Sequence, residues 1–136
     1  MKDATQQNAD RPARPTCILY AEDNPLTSAA VYQQLRNKGF EIDTAKNGQE
    51  AMLKFLSNPM DYDLIITDQT MPILSEDEWL KRIRRRGFTP KVIVYSAELT
   101  EGVLSTMREL QVQKVVQKAE PLEALFEAIE QILQKR

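Results

Sequence analysis

The segment that most constrains this chain is the nonapeptide LIITDQTMP at residues 64–72. Its first four residues are apolar or β-branched, which is typical of a strand buried on both faces of a parallel sheet. Asp68 follows directly, where the strand ends and a loop begins. Ligands of open α/β sheets bind beyond the carboxyl ends of the strands. A carboxylate there is a nucleophile, a metal ligand or a loop cap, and the rest of the chain discriminates among these roles.

Strand-like and helix-like patterns alternate five times along the chain. Strands are predicted over residues 17–20, 40–45, 64–67, 91–95 and 114–117. Helices are predicted over residues 26–38, 49–57, 76–86, 100–110 and 121–134. Such repeats form parallel βαβ units with right-handed crossovers, and their helices cover both faces of the sheet. We therefore expect one doubly wound α/β domain at residues 16–136, a (βα)5 fold with a five-stranded parallel sheet. Residues 1–15 are polar and contain two prolines, so we expect a disordered tail.

The composition excludes several kinds of chemistry. The 136 residues include no histidine and one cysteine, so histidine-based catalysis, an internal disulfide and a cysteine-only zinc site are excluded. A net charge of −2 with both signs interspersed provides no basic surface for nucleic acid. No apolar run approaches the roughly 20 residues of a membrane span, and we expect no secretory signal because the N-terminal residues are polar. We expect a cytoplasmic protein without nucleic-acid or membrane partners.

Polar residues follow four of the predicted strands, and parallel strands place these residues at one edge of the sheet. They are Glu22, Asp23, Asp68, Ser96 and Lys118. Three neighbouring carboxylates repel one another unless a cation lies between them. Mg²⁺ is the hard cation that combines one or two carboxylates with a phosphoryl oxygen. The pattern therefore favours a site in which Asp68 attacks phosphorus and becomes an acyl phosphate, with Ser96 and Lys118 contacting the phosphoryl group.

Together these pieces resemble the receiver domain of two-component response regulators, of the single-domain chemotaxis-regulator type. The resemblance rests on the acidic pair Glu22-Asp23, the motif at residues 68–72, the pair Ser96-Ala97, and Lys118, each in order after a predicted strand. It extends from residue 16 to the end of the chain. It implies a flavodoxin-like fold with strand order 2-1-3-4-5.

The resemblance also implies a role for each matching residue. Asp68 is the expected phosphoacceptor. Asp23 and Asp68 are expected to bind Mg²⁺ directly, with Glu22 nearby or acting through water. The backbone carbonyl of Thr70 is the remaining expected ligand. Thr70 and Glu98 also occupy positions that, in such domains, tune how fast the phosphoryl group is hydrolysed.

Ser96 is then the expected hydroxyl switch, which moves toward the phosphoryl group, and Lys118 is the expected site lysine. The implied donor is a histidine kinase or a histidine phosphotransfer protein. The modified domain would signal to a downstream protein through its fourth helix, fifth strand and last helix, or pass the group on in a phosphorelay. We expect a stand-alone signalling domain rather than an enzyme, as a monomer or weak dimer, because too few residues follow the last helix for an output domain.

Four positions depart from the family pattern. Ser75-Glu76 replaces an Asp-Gly pair, Ala119 replaces the proline after the lysine, Val115 replaces an aromatic residue, and residues 111–113 replace a Gly-Ala pair. We expect Ser75 to cap the third helix. We also expect a different or muted output switch, carried by Tyr95 or the fourth helix, because no ring is available at Val115.

Three alternatives stay open. The chain could be a receiver-like interaction module that accepts no phosphate, or a receiver piece of a hybrid histidine kinase. A phosphohydrolase with a strand-end aspartate is the third, although such enzymes carry a second aspartate where Thr70 stands. The four arginines at positions 82, 84, 85 and 86 are expected to form a solvated face near the end of the third helix.

Overall fold

The computed structural model describes residues 15–68 and 73–134. Its strands are β1 Cys17–Ala21, β2 Glu41–Ala45, β3 Leu64–Asp68, β4 Val92–Ser96 and β5 Lys114–Gln117. Its helices are α1 Pro25–Asn37, α2 Gly48–Ser57, α3 Glu76–Arg85, α4 Glu101–Glu109 and α5 Leu122–Gln134, with a short 3₁₀ turn at Pro59–Asp61. The strands form one parallel sheet in the order β2-β1-β3-β4-β5, which confirms the predicted fold class and topology. Residues 1–14 of the predicted tail lie outside the described residues.

Two apolar layers sandwich the sheet, because alternate residues of each strand point to opposite faces. Ile65 of β3 packs in a core cluster with residues of α2, α3 and α4. Its neighbours Leu64 and Ile66 belong to the cluster on the other face, with residues of α1 and α5. All of β3 is buried, including Asp68 at its end. The sheet therefore holds the backbone of Asp68 rigidly, with a solvent-accessible edge just beyond it.

Asparagine or threonine residues occupy the N-cap positions of three helices, and their side chains accept hydrogen bonds from the first turn. Asn24 accepts hydrogen bonds from two amides of α1, and Thr100 accepts one from the N–H of Val103, as expected of N-caps. The side chain of Asn47 likewise caps α2 and accepts from the N–H of Glu50 at 2.8 Å. None of the helices in the part of the chain described by the structure is both long and apolar enough to cross a bilayer.

Ser75 occupies the N-cap position of α3 but does not cap it through its side chain. Its hydroxyl donates to Oδ1 of Asp77 at 2.6 Å, so the predicted capping hydrogen bond is wrong. Acidic side chains fill the first turn of α3 instead, where they interact favourably with the positive end of the helix dipole.

Gly48 allows the loop before α3 to pack directly on α2. A Cβ atom at Gly48 would lie 1.8 Å from the carbonyl oxygen of Leu74 and 3.0 Å from Cδ1 of Trp79. Only glycine fits such an approach. The loop that leads away from Asp68 is therefore anchored, at its far end, against the first residue of α2.

Arg84 is not the solvated side chain that the sequence predicted. Its guanidinium donates to the carbonyl oxygens of Leu110 at 2.9 Å, Pro90 at 3.1 Å, Gln111 at 3.2 Å and Phe88 at 3.3 Å. Burial lowers the pKa of this side chain, and the four carbonyls offset the loss of water. Arg84 thus joins the end of α3 to the loop between α4 and β5. The other three arginines of this segment are exposed, as predicted.

Candidate functional site

Three carboxylates converge at the carboxyl edge of the sheet, as the strand order requires. One oxygen each of Glu22, Asp23 and Asp68 can be chosen so that all three lie within 4.8 Å of one another. Glu22 and Asp68 are buried, whereas Asp23 is exposed. The acidic cluster is therefore closed toward the sheet and open to solvent on the Asp23 side.

Glu22 is the most firmly held member of the cluster. Its backbone N–H donates to the carbonyl of Ala45, which continues the β1–β2 pairing by one residue. The hydroxyl of Tyr20 donates to Oε1 at 3.4 Å, and the backbone N–H of Asn24 donates to Oε2 at 3.2 Å. Because both oxygens have donors, the side chain has a defined orientation toward the site.

Lys118 bridges the two buried carboxylates. Its Nζ lies 2.9 Å from Oε1 of Glu22 and 3.2 Å from Oδ1 of Asp68. Its backbone N–H donates to the carbonyl of Ser96 at 2.7 Å, which holds the loop after β5 against the end of β4. No peptide bond between described residues is cis, so the bond from Lys118 to Ala119 is trans.

The electrostatics of the cluster favour a bound cation. Burial, followed by repulsion from Glu22, raises the pKa of Asp68 to about 7, although Lys118 opposes the shift. Burial alone would lower the pKa of Lys118, but its contacts with Glu22 and Asp68 outweigh this effect and raise it. One ammonium therefore does not neutralise the carboxylates fully, and Asp68 takes up a proton near neutral pH unless another positive charge arrives.

Ser96 ends β4, the strand next to Asp68, and is fully buried. Its hydroxyl donates to the carbonyl of Glu98 at 2.5 Å and accepts from the N–H of Glu98 at 3.1 Å. The hydroxyl is thus bonded to the backbone of the following loop. The predicted movement of Ser96 would exchange this bond for one to a phosphoryl oxygen.

Tyr95, a predicted carrier of the output switch, and Val115, which replaces the family's aromatic residue, lie on opposite faces of the sheet. Tyr95 is 6% exposed and belongs to the core cluster beside α1 and α5, with its ring centroid 5.7 Å from Nζ of Lys118. Val115 packs against the cluster beside α3 and α4. Tyr95 therefore contacts the site lysine directly, while its part in a switch stays a prediction.

The loop carrying Thr70 lies outside the described residues, as do Gln69, Met71 and Pro72. The predicted role of the Thr70 carbonyl as a metal ligand therefore stays a prediction. Ile73, the first described residue after this gap, has a φ of 71°, which is uncommon for a β-branched residue.

Glu76 is a buried acid whose environment the sequence analysis missed. It is 3% exposed, and its Oε2 has no hydrogen-bond partner among the described residues. Burial, Asp77 and Asp68, in that order, raise its pKa to about 8. One sequence signal set this residue apart, because Glu76 stands where the family pattern has glycine. Nothing in the local pattern showed that this side chain would turn inward.

A doubly wound parallel sheet with clustered carboxylates and a lysine at its carboxyl edge defines a flavodoxin-like α/β protein with an acidic strand-end site. A family profile described as the response regulator receiver domain matches residues 18–130. The chain belongs to this family, the receiver domains of two-component signalling. The resemblance inferred from the strand-end residues is thereby confirmed.

Related proteins of different organisms match part of this chain. Two-component system protein A of Emericella nidulans is 32% identical over 90 residues, which are 65% of this chain and 13% of that protein. Two-component response regulator 24 of Arabidopsis thaliana is 32% identical over 81 residues, or 59% of this chain and 58% of that protein. Peroxide stress-activated histidine kinase mak3 of Schizosaccharomyces pombe is 27% identical over 122 residues, or 85% of this chain and 5% of that kinase. The matched part of this chain spans less than two thirds of the length of each of these relatives.

Solved structures share the fold over most of the chain. Response regulator protein TrrA from Thermotoga maritima, in complex with Mg(2+)-BeF, has a TM-score of 0.75 and 32% identity, covering 86% of this chain and 98% of that chain. The N-terminal domain of an uncharacterized protein from Wolinella succinogenes has a TM-score of 0.79 and 30% identity, covering 88% and 94%. The CheX-CheY-BeF3-Mg+2 complex from Borrelia burgdorferi reaches 0.82 at 23% identity, covering 88% and 90%, which supports the fold alone.

Proposed function

We propose that this receiver domain accepts a phosphoryl group on Asp68 in a Mg²⁺-dependent reaction and signals by protein binding or by phosphorelay. The donor is the phosphohistidine of a histidine kinase or a histidine phosphotransfer protein. The observation that carries the proposal is the grouping of Asp68 with Glu22, Asp23 and Lys118 at the end of a rigid buried strand. This grouping supplies a nucleophile, a set of oxygen ligands and a fixed positive charge in one place.

The donor set fits Mg²⁺, which prefers carboxylate and carbonyl oxygens. Asp23 and Asp68 would hold the ion directly, with Glu22 in contact or acting through water, and with the Thr70 carbonyl as the further expected ligand. Bound Mg²⁺ supplies positive charge to the phosphoryl oxygens. The TrrA relative was solved with Mg(2+)-BeF, which is consistent with the same chemistry here.

The protein residues account for the transfer itself. One carboxylate oxygen of Asp68 attacks phosphorus, the new O–P bond forms, and the N–P bond to the donor imidazole breaks. Lys118 is already held beside Asp68 by Glu22, so it can pair with a phosphoryl oxygen without reorganisation. Ser96 then turns its hydroxyl from the Glu98 carbonyl to another phosphoryl oxygen.

Exposed apolar residues on the segments that follow the strands at this edge support a protein as the donor. Leu26 is 82% exposed, Ile73 is 72% exposed and Leu99 is 42% exposed. They follow β1, β3 and β4 respectively, so all three belong to the carboxyl edge that presents Asp68. A donor protein that brings its phosphohistidine to Asp68 would meet these side chains at the same edge.

Output through α4, β5 and α5 stays part of the proposal, with Val115 making the response different or muted. A second reading is a receiver that operates inside a larger protein. The match to a small part of the mak3 histidine kinase favours that possibility. A stand-alone monomer or weak dimer stays an expectation.

The test is intact-mass spectrometry after incubation with acetyl phosphate, with Mg²⁺ or with a chelator. We expect an adduct of one phosphoryl group that requires Mg²⁺ and disappears in Asp68→Asn. Asp61→Asn, which changes an exposed aspartate of the 3₁₀ turn, is the matched control and keeps the adduct. A folded wild type without any adduct would instead identify the chain as an interaction module that accepts no phosphate.

A further inference from the structure

A cavity of about 200 Å³ lies between α3 and α4, separate from the three-carboxylate cluster. It is lined by Glu76, Asp77, Gly102, Val103, Thr106 and Met107. The described lining residues that carry charge are Glu76 and Asp77, and both are acidic. Val103 and Met107 provide an apolar wall. The cavity therefore combines an acidic side with an apolar side.

Glu76 is the residue of this cavity that most needs a partner. Only 3% of this residue is exposed, and its Oε2 atom accepts no hydrogen bond from any described residue. A buried acceptor left unsatisfied destabilises a fold by roughly 1–3 kcal/mol, and by more when it is charged. A cationic donor in the cavity would remove this penalty.

Gly102 points independently to a cavity that is kept open. A Cβ atom there would have Thr100 Oγ1 at 3.9 Å as its only neighbour within 4 Å, and its backbone does not adopt a positive φ. Neither packing nor conformation therefore requires glycine, although glycine is the poorest helix former after proline. Gly102 is one of the residues that line the cavity, so a larger side chain there would take up part of its space.

An arginine side chain matches this lining. Its aliphatic stem can lie against Val103 and Met107, and its planar guanidinium can donate two parallel hydrogen bonds to a carboxylate. We propose that the cavity between α3 and α4 is a docking site for an arginine side chain of a partner protein, with the Glu76 carboxylate receiving the guanidinium. Phosphorylation of Asp68 is not required, so this proposal stands apart from the proposed function.

The test is an NMR titration of the ¹⁵N-labelled full chain with N-acetylarginine amide at about pH 8.5, without Mg²⁺ or phosphodonor. This pH lies above the pKa of about 8 that Glu76 has in the folded chain, so its carboxylate is ionised. We expect saturable shifts of the amides of residues 76–79 and 102–107, with a Kd on the order of millimolar for such a small probe. N-acetylglutamine amide, which is neutral, should cause no saturable shift. N-acetyllysine amide should bind more weakly, because it lacks the bidentate donor geometry.

Three variants make the test specific. Glu76→Gln should weaken arginine binding by about tenfold or more, a change expected for loss of a buried charge-assisted pair. Glu78→Gln, which alters an exposed acid of the same helix, should leave binding unchanged. Gly102→Val should abolish binding by filling the cavity while the rest of the spectrum stays that of the folded chain.

Three results would overturn the proposal: no saturable shift with the arginine probe, equal binding of the arginine and glutamine or lysine probes, or unchanged affinity in Glu76→Gln. Failure of phosphorylation and failure of arginine binding are therefore distinguishable, because each is measured without the other reaction.

Discussion

Lys118 lies closer to Glu22 than to Asp68, with Nζ–oxygen distances of 2.9 and 3.2 Å. Glu22 therefore anchors the site lysine, and Asp68 shares it. This arrangement leaves the lysine in position when the charge and shape of Asp68 change. It also means that Lys118 and a divalent cation compete for the same carboxylate oxygens.

The competition predicts opposite effects of Lys118→Gln on two measurements. Without the ammonium, the cluster is more negative, so Mg²⁺ should bind more tightly by isothermal titration calorimetry. Phosphorylation by acetyl phosphate should nevertheless slow by about tenfold or more, because a preorganised charge on the phosphoryl oxygens is lost. Lys114→Gln, which changes an exposed lysine of β5, should alter neither value. Weaker Mg²⁺ binding in Lys118→Gln would contradict this account.

Glu76 should make the protein less stable as the pH rises. Its pKa is about 8 in the folded chain against an ordinary value of 4.5. Between these values the unfolded chain releases the proton and the folded chain keeps it, so the free energy of unfolding falls with increasing pH. Glu76→Gln removes this slope, and at pH 8 it should be more stable than the wild type by at least about 1.4 kcal/mol, the equivalent of one pKa unit.

Urea denaturation of both proteins at pH 5 and pH 8 measures this effect. The two unfolding free energies should differ more at pH 8 than at pH 5. Glu78→Gln serves as the exposed control on the same helix and should follow the wild type. A constant difference across the range would show that Glu76 does not keep its proton on folding.

Arg84 should contribute more to stability than any neighbouring arginine. Arg84→Ala leaves four loop carbonyls without their donor, and we expect a loss of about 2–4 kcal/mol in chemical denaturation. Arg84→Lys should recover little, because an ammonium cannot reproduce the planar arrangement of donors. Arg82→Ala, at an exposed site, should change stability by about 0.5 kcal/mol or less. Equal effects of the alanine variants at 84 and 82 would refute this assignment.

The two glycines at Gly48 and Gly102 should respond oppositely to alanine. Gly48→Ala would place Cβ 1.8 Å from the Leu74 carbonyl, so the loop before α3 must move, with a loss of several kcal/mol. Gly102→Ala meets no close atom and should stabilise α4 by up to about 1 kcal/mol. Thermal unfolding of the pair measures both signs. A mild effect at Gly48 would mean that the close approach to Leu74 is not maintained.

Much of the site could be predicted because its signals are local. Each functional residue follows a recognisable apolar strand, and parallel topology then brings the strand ends together. The caps at Asn24 and Thr100 were likewise predictable, since a cap bonds to amides two or three residues away. The role of Thr70 was implied instead by the resemblance to receiver domains, and its loop lies outside the described residues.

The sequence by itself determined the order of strands and helices, the doubly wound topology and the identity of Glu22, Asp23, Asp68, Ser96 and Lys118 as the strand-end set. Hydrophobic periodicity and residue order carry that information directly. Only the tertiary structure decided that Lys118 pairs most closely with Glu22, that Arg84 turns to four loop carbonyls, and that Glu76 is buried beside an acidic cavity. These features depend on which distant backbone groups lie within about 3 Å of a side chain, and no periodic pattern encodes such distances.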